Sequence, residues 1–204
     1  MAKMIGDRIS YEDHSDYTTI IILPLRKRIM ELLLTAWVFS FTFVGLYLIY
    51  VLFAGVENLN APEDFTEEDY RNQQIYLVVF IGFWIYFEYK TVRALLWYRF
   101  GKELIRIDKD ALFVKRSTLS YGKQKRFFFE NIKDFHQFVQ EKTSFGYYFE
   151  NAYWTVGTDS IRFKYHGKNQ AFGRKLNEKD TKNLMRFIAD RSKKWGKKKV
   201  KIVS

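Results

Sequence analysis

From Leu32 to Val56 the chain reads LLLTAWVFSFTFVGLYLIYVLFAGV without one charged side chain. A helix of about 25 residues rises far enough to cross a hydrocarbon core of roughly 30 Å. The run is too long for the apolar region of a signal peptide and is not followed by a small-residue cleavage pattern, so a retained span is expected over 29–56. A second apolar run, IYLVVFIGFWIYF, starts at Ile75 and meets Glu88, Lys90 and Arg93 before ending in ALLWYRF. Counted through to Tyr98 it reaches about 24 residues, with basic side chains able to extend toward headgroups and with Trp97 and Tyr98 at the depth of an aromatic belt. A second span over 74–100 with an amphipathic exit is expected. A single span followed by a partly buried soluble helix is the alternative.

The flanks give an orientation. Arg26, Lys27 and Arg28 precede the first span, and Lys90, Arg93, Arg99 and Lys102 close the second. The connection over 57–73 holds Glu57, Glu63, Asp64, Glu67, Glu68 and Asp69 against Arg71 alone. The bias of Lys and Arg toward the cytoplasmic side puts both termini in the cytoplasm and the acidic connection outside, with the two helices forming an antiparallel hairpin.

Glu88 lies inside the second span, where an acid is costly unless it is paired or faces protein or water. One reading makes it a contact with a partner helix or a proton-linked site. The other places it near the inner interface, paired with Lys90 or Arg93. With no histidine in either span, a proton relay or transporter draws little support.

Beyond Gly101 the pattern changes from continuous apolar runs to alternation. ELIRID, ALFVKRS, KQKRFFFE, IKDFHQFV, AYWTV, SIRFKY and NQAFG are divided by Gly, Asn, Asp and Ser clusters, which predicts about seven short strands. Leu104, Ile105 and Ile107, with Ile161, Phe163 and Tyr165, are assigned to a core face, and Arg106, Arg162 and Lys164 to the outside. Asn177, with Asp180 three residues later, predicts a helix N-terminus, and Leu184, Met185, Phe187 and Ile188 give a stripe reaching Arg191 or Trp195. The expected fold class is therefore an α+β membrane protein: a two-helix transmembrane hairpin followed by an antiparallel β-roll of about seven strands and a C-terminal helix over 101–195. Strands followed by one closing helix are the order of a pleckstrin-homology (PH) roll, although barrels and other rolls share such strand counts.

LPLRKRIMELLLTAWVF before the first span, LLWYRFGKELIRID at the exit of the second, GKQKRFFFENIKDF, and IRFKYHGKNQAFGRKLNEKDTKNLMRFI resemble the small bacterial inner-membrane proteins that carry two N-terminal spans and a bacterial PH-like domain. The layout is also similar to that of the plastid and cyanobacterial photosystem I assembly factor with two spans and a PH-like tail. The resemblance covers roughly Thr18 to Ile188 and implies a bacterial inner-membrane location, a fold and a topology, but no defined activity. It also gives the leading segment a place. DYTTIIILP, Asp16 to Pro24, has strand composition and is expected on the same side of the membrane as the PH-like domain, where, within the N-terminal segment 1–28, it can add a strand to that sheet or lie along it.

Charge is concentrated in the same region. From Gly101 onward there are 25 Lys and Arg against 11 Asp and Glu. Lys193, Lys194, Lys197, Lys198 and Lys199 surround Trp195 at the start of a basic tail, 196–204, which suits either a solvated terminus or an anionic leaflet worth about 1 kcal/mol per basic residue. Lys123, Lys125 and Arg126 form a second candidate contact for anionic lipid. Trp97 and Tyr98, with Glu88, are the candidate contacts for a partner.

Other function classes find little in the sequence. There is no cysteine, so thiol chemistry is excluded. His14, His136 and His166 stand apart without metal-ligand spacing, and no phosphate loop, dinucleotide fingerprint or nucleophile elbow occurs. No RNA-recognition strand motif, helix-turn-helix or zinc-finger spacing accompanies the basic residues, so dedicated nucleic-acid binding is not expected. No metal, cofactor or catalysis is expected. The sequence points to a non-enzymatic accessory or assembly subunit of a larger inner-membrane complex, in contact with membrane lipids and with homo-oligomerisation open. The alternative is an autonomous anchored module that binds anionic lipid or a peptide.

Overall fold

The computed structural model describes residues 2–55, 66–139, 146, 148–149 and 152–195. The chain forms two compact units, one of Lys27–Leu95 and one that joins Met1–Arg26 to Leu96–Ser204. Among the described residues it is an α+β protein with three long helices and two antiparallel sheets.

The first unit holds the helix α1, Arg28–Ala54, and most of α2, Glu67–Phe100. Both are long and apolar enough to cross a membrane. The second helix begins ahead of the apolar run, so the last residues of the acidic connection, from Glu67 to Gln73, are helical; the remainder of that connection, up to residue 65, lies outside the described residues. Large apolar side chains such as Trp37, Phe39, Phe43, Phe80 and Phe83 point outward along both helices. Gly45 is a point of close approach between them: a Cβ there would sit 1.9 Å from the Trp84 ring. The Trp84 indole donates to the Phe41 carbonyl at 3.0 Å.

The second unit is built around a six-stranded sheet in the order β1 (Lys3–Met4), β2 (Ile9–Asp13), β3 (Thr18–Ile22), β4 (Gly101–Ile107), β5 (Ala111–Thr118) and β6 (Gln124–Phe128). A second sheet joins β7 (Ile132–Gln137), β8 (Asp159–Tyr165) and β9 (Lys168–Arg174). The helix α3, Glu178–Trp195, packs on β4 and β8. Ile20, Ile105, Leu112, Phe135, Phe163, Phe172, Leu184 and Ile188 share one core between both sheets and α3.

The expected strand at 16–24 is β3, and it pairs directly with β4, Ile22 opposite Glu103 and Thr18 opposite Ile107. Two strands ahead of it, β1 and β2, are additional to the sequence reading. The expected strand AYWTV does not form: Ala152–Thr155 is bend and turn, in which the Thr155 amide donates back to the Ala152 carbonyl at 3.3 Å and the Thr155 carbonyl accepts from Tyr98. Leu104 faces outward between Ile21 and Lys115, while Glu103 takes the buried position beside it. The N-terminus of α3 is as read: the Asn177 side-chain oxygen accepts from the Asp180 amide at 2.6 Å, and the Asn177 amide donates back to the Asp180 carboxylate at 3.0 Å.

Candidate functional site

The residues at the exit of α2 are bound into the β unit. Trp97 is buried under the Arg174 guanidinium, 4.6 Å from its ring. Gly101 follows because no side chain fits: a Cβ there would lie 2.3 Å from the Trp97 carbonyl oxygen. Tyr98 donates its hydroxyl proton to the Thr155 carbonyl at 2.6 Å and accepts from Lys175 Nζ at 2.6 Å. Lys175 also donates to the Ala152 carbonyl at 3.1 Å. Arg26 donates to the Tyr98 carbonyl at 3.1 Å and to the Arg99 carbonyl, which satisfies acceptors that a helix C-terminus leaves open.

Beside this lies a closed charge network. The buried Glu103 carboxylate accepts from Arg116 Nε at 2.8 Å and from the backbone amides of Gly173 at 2.7 Å and Arg174 at 3.3 Å. Arg116 reaches Asp159 at 2.7 Å and the Ala171 carbonyl at 2.8 Å. Burial works to lower the Arg116 pKa, but Glu103 and Asp159 outweigh it, and the net shift is upward. An acid bound in this way joins the two sheets, reaching Arg116 on β5 and the amides of β9 from its place on β4.

Glu88 sits within the helical unit. Its carboxylate is 2.6 Å from the Thr42 hydroxyl on α1, and its second oxygen is buried without a hydrogen-bond partner among the described residues. Neither Lys90 nor Arg93 pairs with it; Lys90 lies over the Tyr86 ring instead. Gly82 has open space where a Cβ would stand.

Comparison with protein-family models, with curated proteins and with solved structures finds no match for this chain. What the surface can bind therefore follows from its own chemistry.

The outward face of the six-stranded sheet carries a row set by strand register: Thr19 is opposite Arg106, Arg106 opposite Phe113, and Phe113 opposite Arg126. The Arg106 guanidinium stacks 4.1 Å from Tyr17 and 5.6 Å from Phe113, and that of Arg126 stacks 5.3 Å from Phe113 and 4.4 Å from Phe128. A guanidinium beside an aromatic ring keeps N–H donors that can meet a carboxylate or phosphate. Neither arginine forms an ion pair among the described residues.

The other basic residues singled out by the sequence are dispersed. Lys123 precedes β6, and Lys125 reaches Gln170 at 3.3 Å. Lys193 and Lys194 are exposed at the end of α3, where Trp195 donates to Thr18 at 2.9 Å. Lys197, Lys198 and Lys199 lie outside the described residues. Among the described residues no group of His, Asp and Glu is gathered as a metal site would need. Arg106 and Phe113 were not singled out as binding residues from the sequence, because only the register between three strands brings them together with Arg126.

Proposed function

We propose that this protein is a non-enzymatic accessory or assembly subunit of a larger bacterial inner-membrane complex. Its two apolar helices span the membrane as a hairpin with both termini in the cytoplasm, and its β unit is a PH-like roll that docks a partner. The apolar outward faces of α1 and α2 and the basic flanks of both helices support the anchoring and its orientation. Strands in two antiparallel sheets followed by a C-terminal helix support the PH-like reading.

The observation that carries the docking role is the Arg106, Phe113, Arg126 row. Elsewhere, at Glu103 and Asp159, the charges are closed into internal pairs, whereas this row presents two preoriented guanidiniums to an acidic partner surface. A second reading, an autonomous module for anionic lipid or a peptide, draws on the exposed Lys123 and Lys125.

Purification from native membranes in mild detergent, with mass spectrometry of what co-purifies, tests the two. Membrane proteins retained in stoichiometric amounts by the wild type and lost from the Arg106→Glu, Arg126→Glu double variant support the subunit role. A protein that arrives with lipids only sinks it in favour of the second reading.

A further inference from the structure

One edge of the β unit collects side chains that the docking role does not use. The strand register aligns three strand ends there: Ile22 of β3 opposite Glu103, Gly101 of β4 opposite Thr118, and the turn that follows β5. Leu23, Leu25, Phe100, Leu119 and Tyr121 all lie on this edge, with relative exposures from 41% to 84%. Scattered exposed apolar residues are ordinary, but five gathered at the ends of three adjacent strands make a patch.

The turn itself departs from what its backbone favours. Thr118 and Tyr121 exchange backbone hydrogen bonds of 2.9 and 3.0 Å, with Leu119 at φ 51° and Ser120 at φ 70° between them. Two central residues at positive φ define the type I′ hairpin turn, which normally takes Asn and Gly. Here a leucine holds the apex at a conformational cost and is half exposed. Gly122 completes the turn, since a Cβ there would stand 1.8 Å from the Arg116 carbonyl oxygen. Lys123 comes next.

The same edge is where the chain leaves for α1 and returns from α2, because Arg26 holds the carbonyls of Tyr98 and Arg99. The basic end of α3 is elsewhere: Trp195 bonds Thr18, which pairs with Ile107 at the far end of β4, about 20 Å along the strand from Gly101.

We propose that this edge is a membrane-seating rim, in which Leu119 and Tyr121 enter the headgroup layer of an anionic leaflet and Lys123 meets its phosphates. The proposal rests on the reading that α1 and α2 cross the membrane. Lipid is the occupant because apolar tips with a flanking cation match an anionic interface, and because this is the edge from which the chain enters and leaves the spanning helices. Seated in this way, the β unit touches the leaflet through its hairpin apex and not through the root of its basic tail.

The chain has no cysteine, so single positions accept a fluorophore cleanly. Full-length Leu119→Cys, Lys109→Cys and Phe80→Cys proteins, each carrying an environment-sensitive dye, are reconstituted into phosphatidylcholine vesicles with or without phosphatidylglycerol. Lipids bearing a shallow nitroxide serve as the quencher. The label at 119 is expected to shift to the blue and to be quenched several-fold more than the label at 109, in the turn at the opposite end of β4. Removing the phosphatidylglycerol, or adding Lys123→Glu, is expected to shrink that difference. Equal, water-like signals at 119 and 109 in anionic vesicles, with the label at 80 buried in lipid, overturn the rim alone. A water-like label at 80 overturns the membrane-crossing reading, and the rim with it. Quenching at 119 that ignores lipid charge overturns the assignment to an anionic surface.

Discussion

Phe39 on α1 is 63% exposed and Phe172 on β9 is fully buried, and the contrast between these two phenylalanines holds for most large apolar side chains of their respective units. In the β unit apolar side chains meet in one shared core while charged residues close into pairs or face outward. In the helical unit most large apolar side chains face outward, only a few such as Leu34, Val51, Ile81 and Ala94 are buried, and Gly45, Thr42, Glu88 and Trp84 make close contacts between the helices. An overall hydrophobic share of 48% averages two opposite distributions and describes neither. Water drives a phenylalanine inward, whereas lipid, as apolar as the side chain itself, would not, and the outward phenylalanines of α1 and α2 fit the proposal that these helices cross a membrane.

Truncation tests that contrast most sharply. Phe172→Ala is expected to destabilise the β unit by about 3–5 kcal/mol through lost burial and a cavity, whereas Phe39→Ala leaves it unchanged. Denaturation of the detergent-solubilised protein followed by near-ultraviolet circular dichroism measures both, and a comparable loss from Phe39→Ala would break the comparison.

The polar contacts of the two units should differ as well. Glu103→Ala removes one of the two carboxylates that face Arg116 and leaves the Gly173 and Arg174 amides without this acceptor, and it is expected to cost about 3 kcal/mol. Thr42→Val removes one bond between helices and is expected to cost only about 0.6 kcal/mol, the usual scale for such bonds in membranes. The same denaturation measurement separates the two if the first loss is several times the second.

The smallest effect lies at Asp134 and Lys164, an exposed pair at 2.8 Å. The hydrogen bond from Lys164 lowers the Asp134 pKa from its ordinary 3.8, and the reciprocal bond raises that of Lys164 from 10.5. A lowered carboxylate pKa contributes stability that is present above 3.8 and lost as pH falls through the folded value; a raised ammonium pKa contributes stability present below 10.5 and lost as pH rises through the folded value. The melting temperature of the wild type should exceed that of Lys164→Ala slightly across the neutral range, with the difference vanishing in strong acid and strong base. A difference independent of pH would assign the effect to packing.

The long-range order of this chain was legible where a local signal carries it. The uncharged run from Leu32 mapped onto α1, the alternation of ALFVKRS and SIRFKY onto β5 and β8, and the Asn177, Asp180 pair onto the start of α3. What was illegible depends on partners distant in sequence. Nothing beside Glu103 in the sequence announces Arg116 and the Gly173 amide around it, and AYWTV reads as a strand until Tyr98 is seen taking the Thr155 carbonyl. Leu119 reads as part of a loop, because nothing local announces a leucine at positive φ. For Glu88 the sequence left two readings open, a contact with a partner helix or proton-linked site and a local pair with Lys90 or Arg93, and the contact seen is a threonine on the other helix of the hairpin, which no local pattern names.

The pairing of β3 with β4 sets a schedule for biosynthesis. These neighbours in the sheet bracket both long helices, so as the chain emerges β3 has no partner on that side until α1 and α2 have been made. Closing so long a loop is slow and entropically costly, and β1, β2 and β3 wait with an open edge in the interval. Completion of the six-stranded sheet thus waits on the whole helical segment: the surface row that spans β4, β5 and β6 is joined to β1, β2 and β3 only after α1 and α2 have been made.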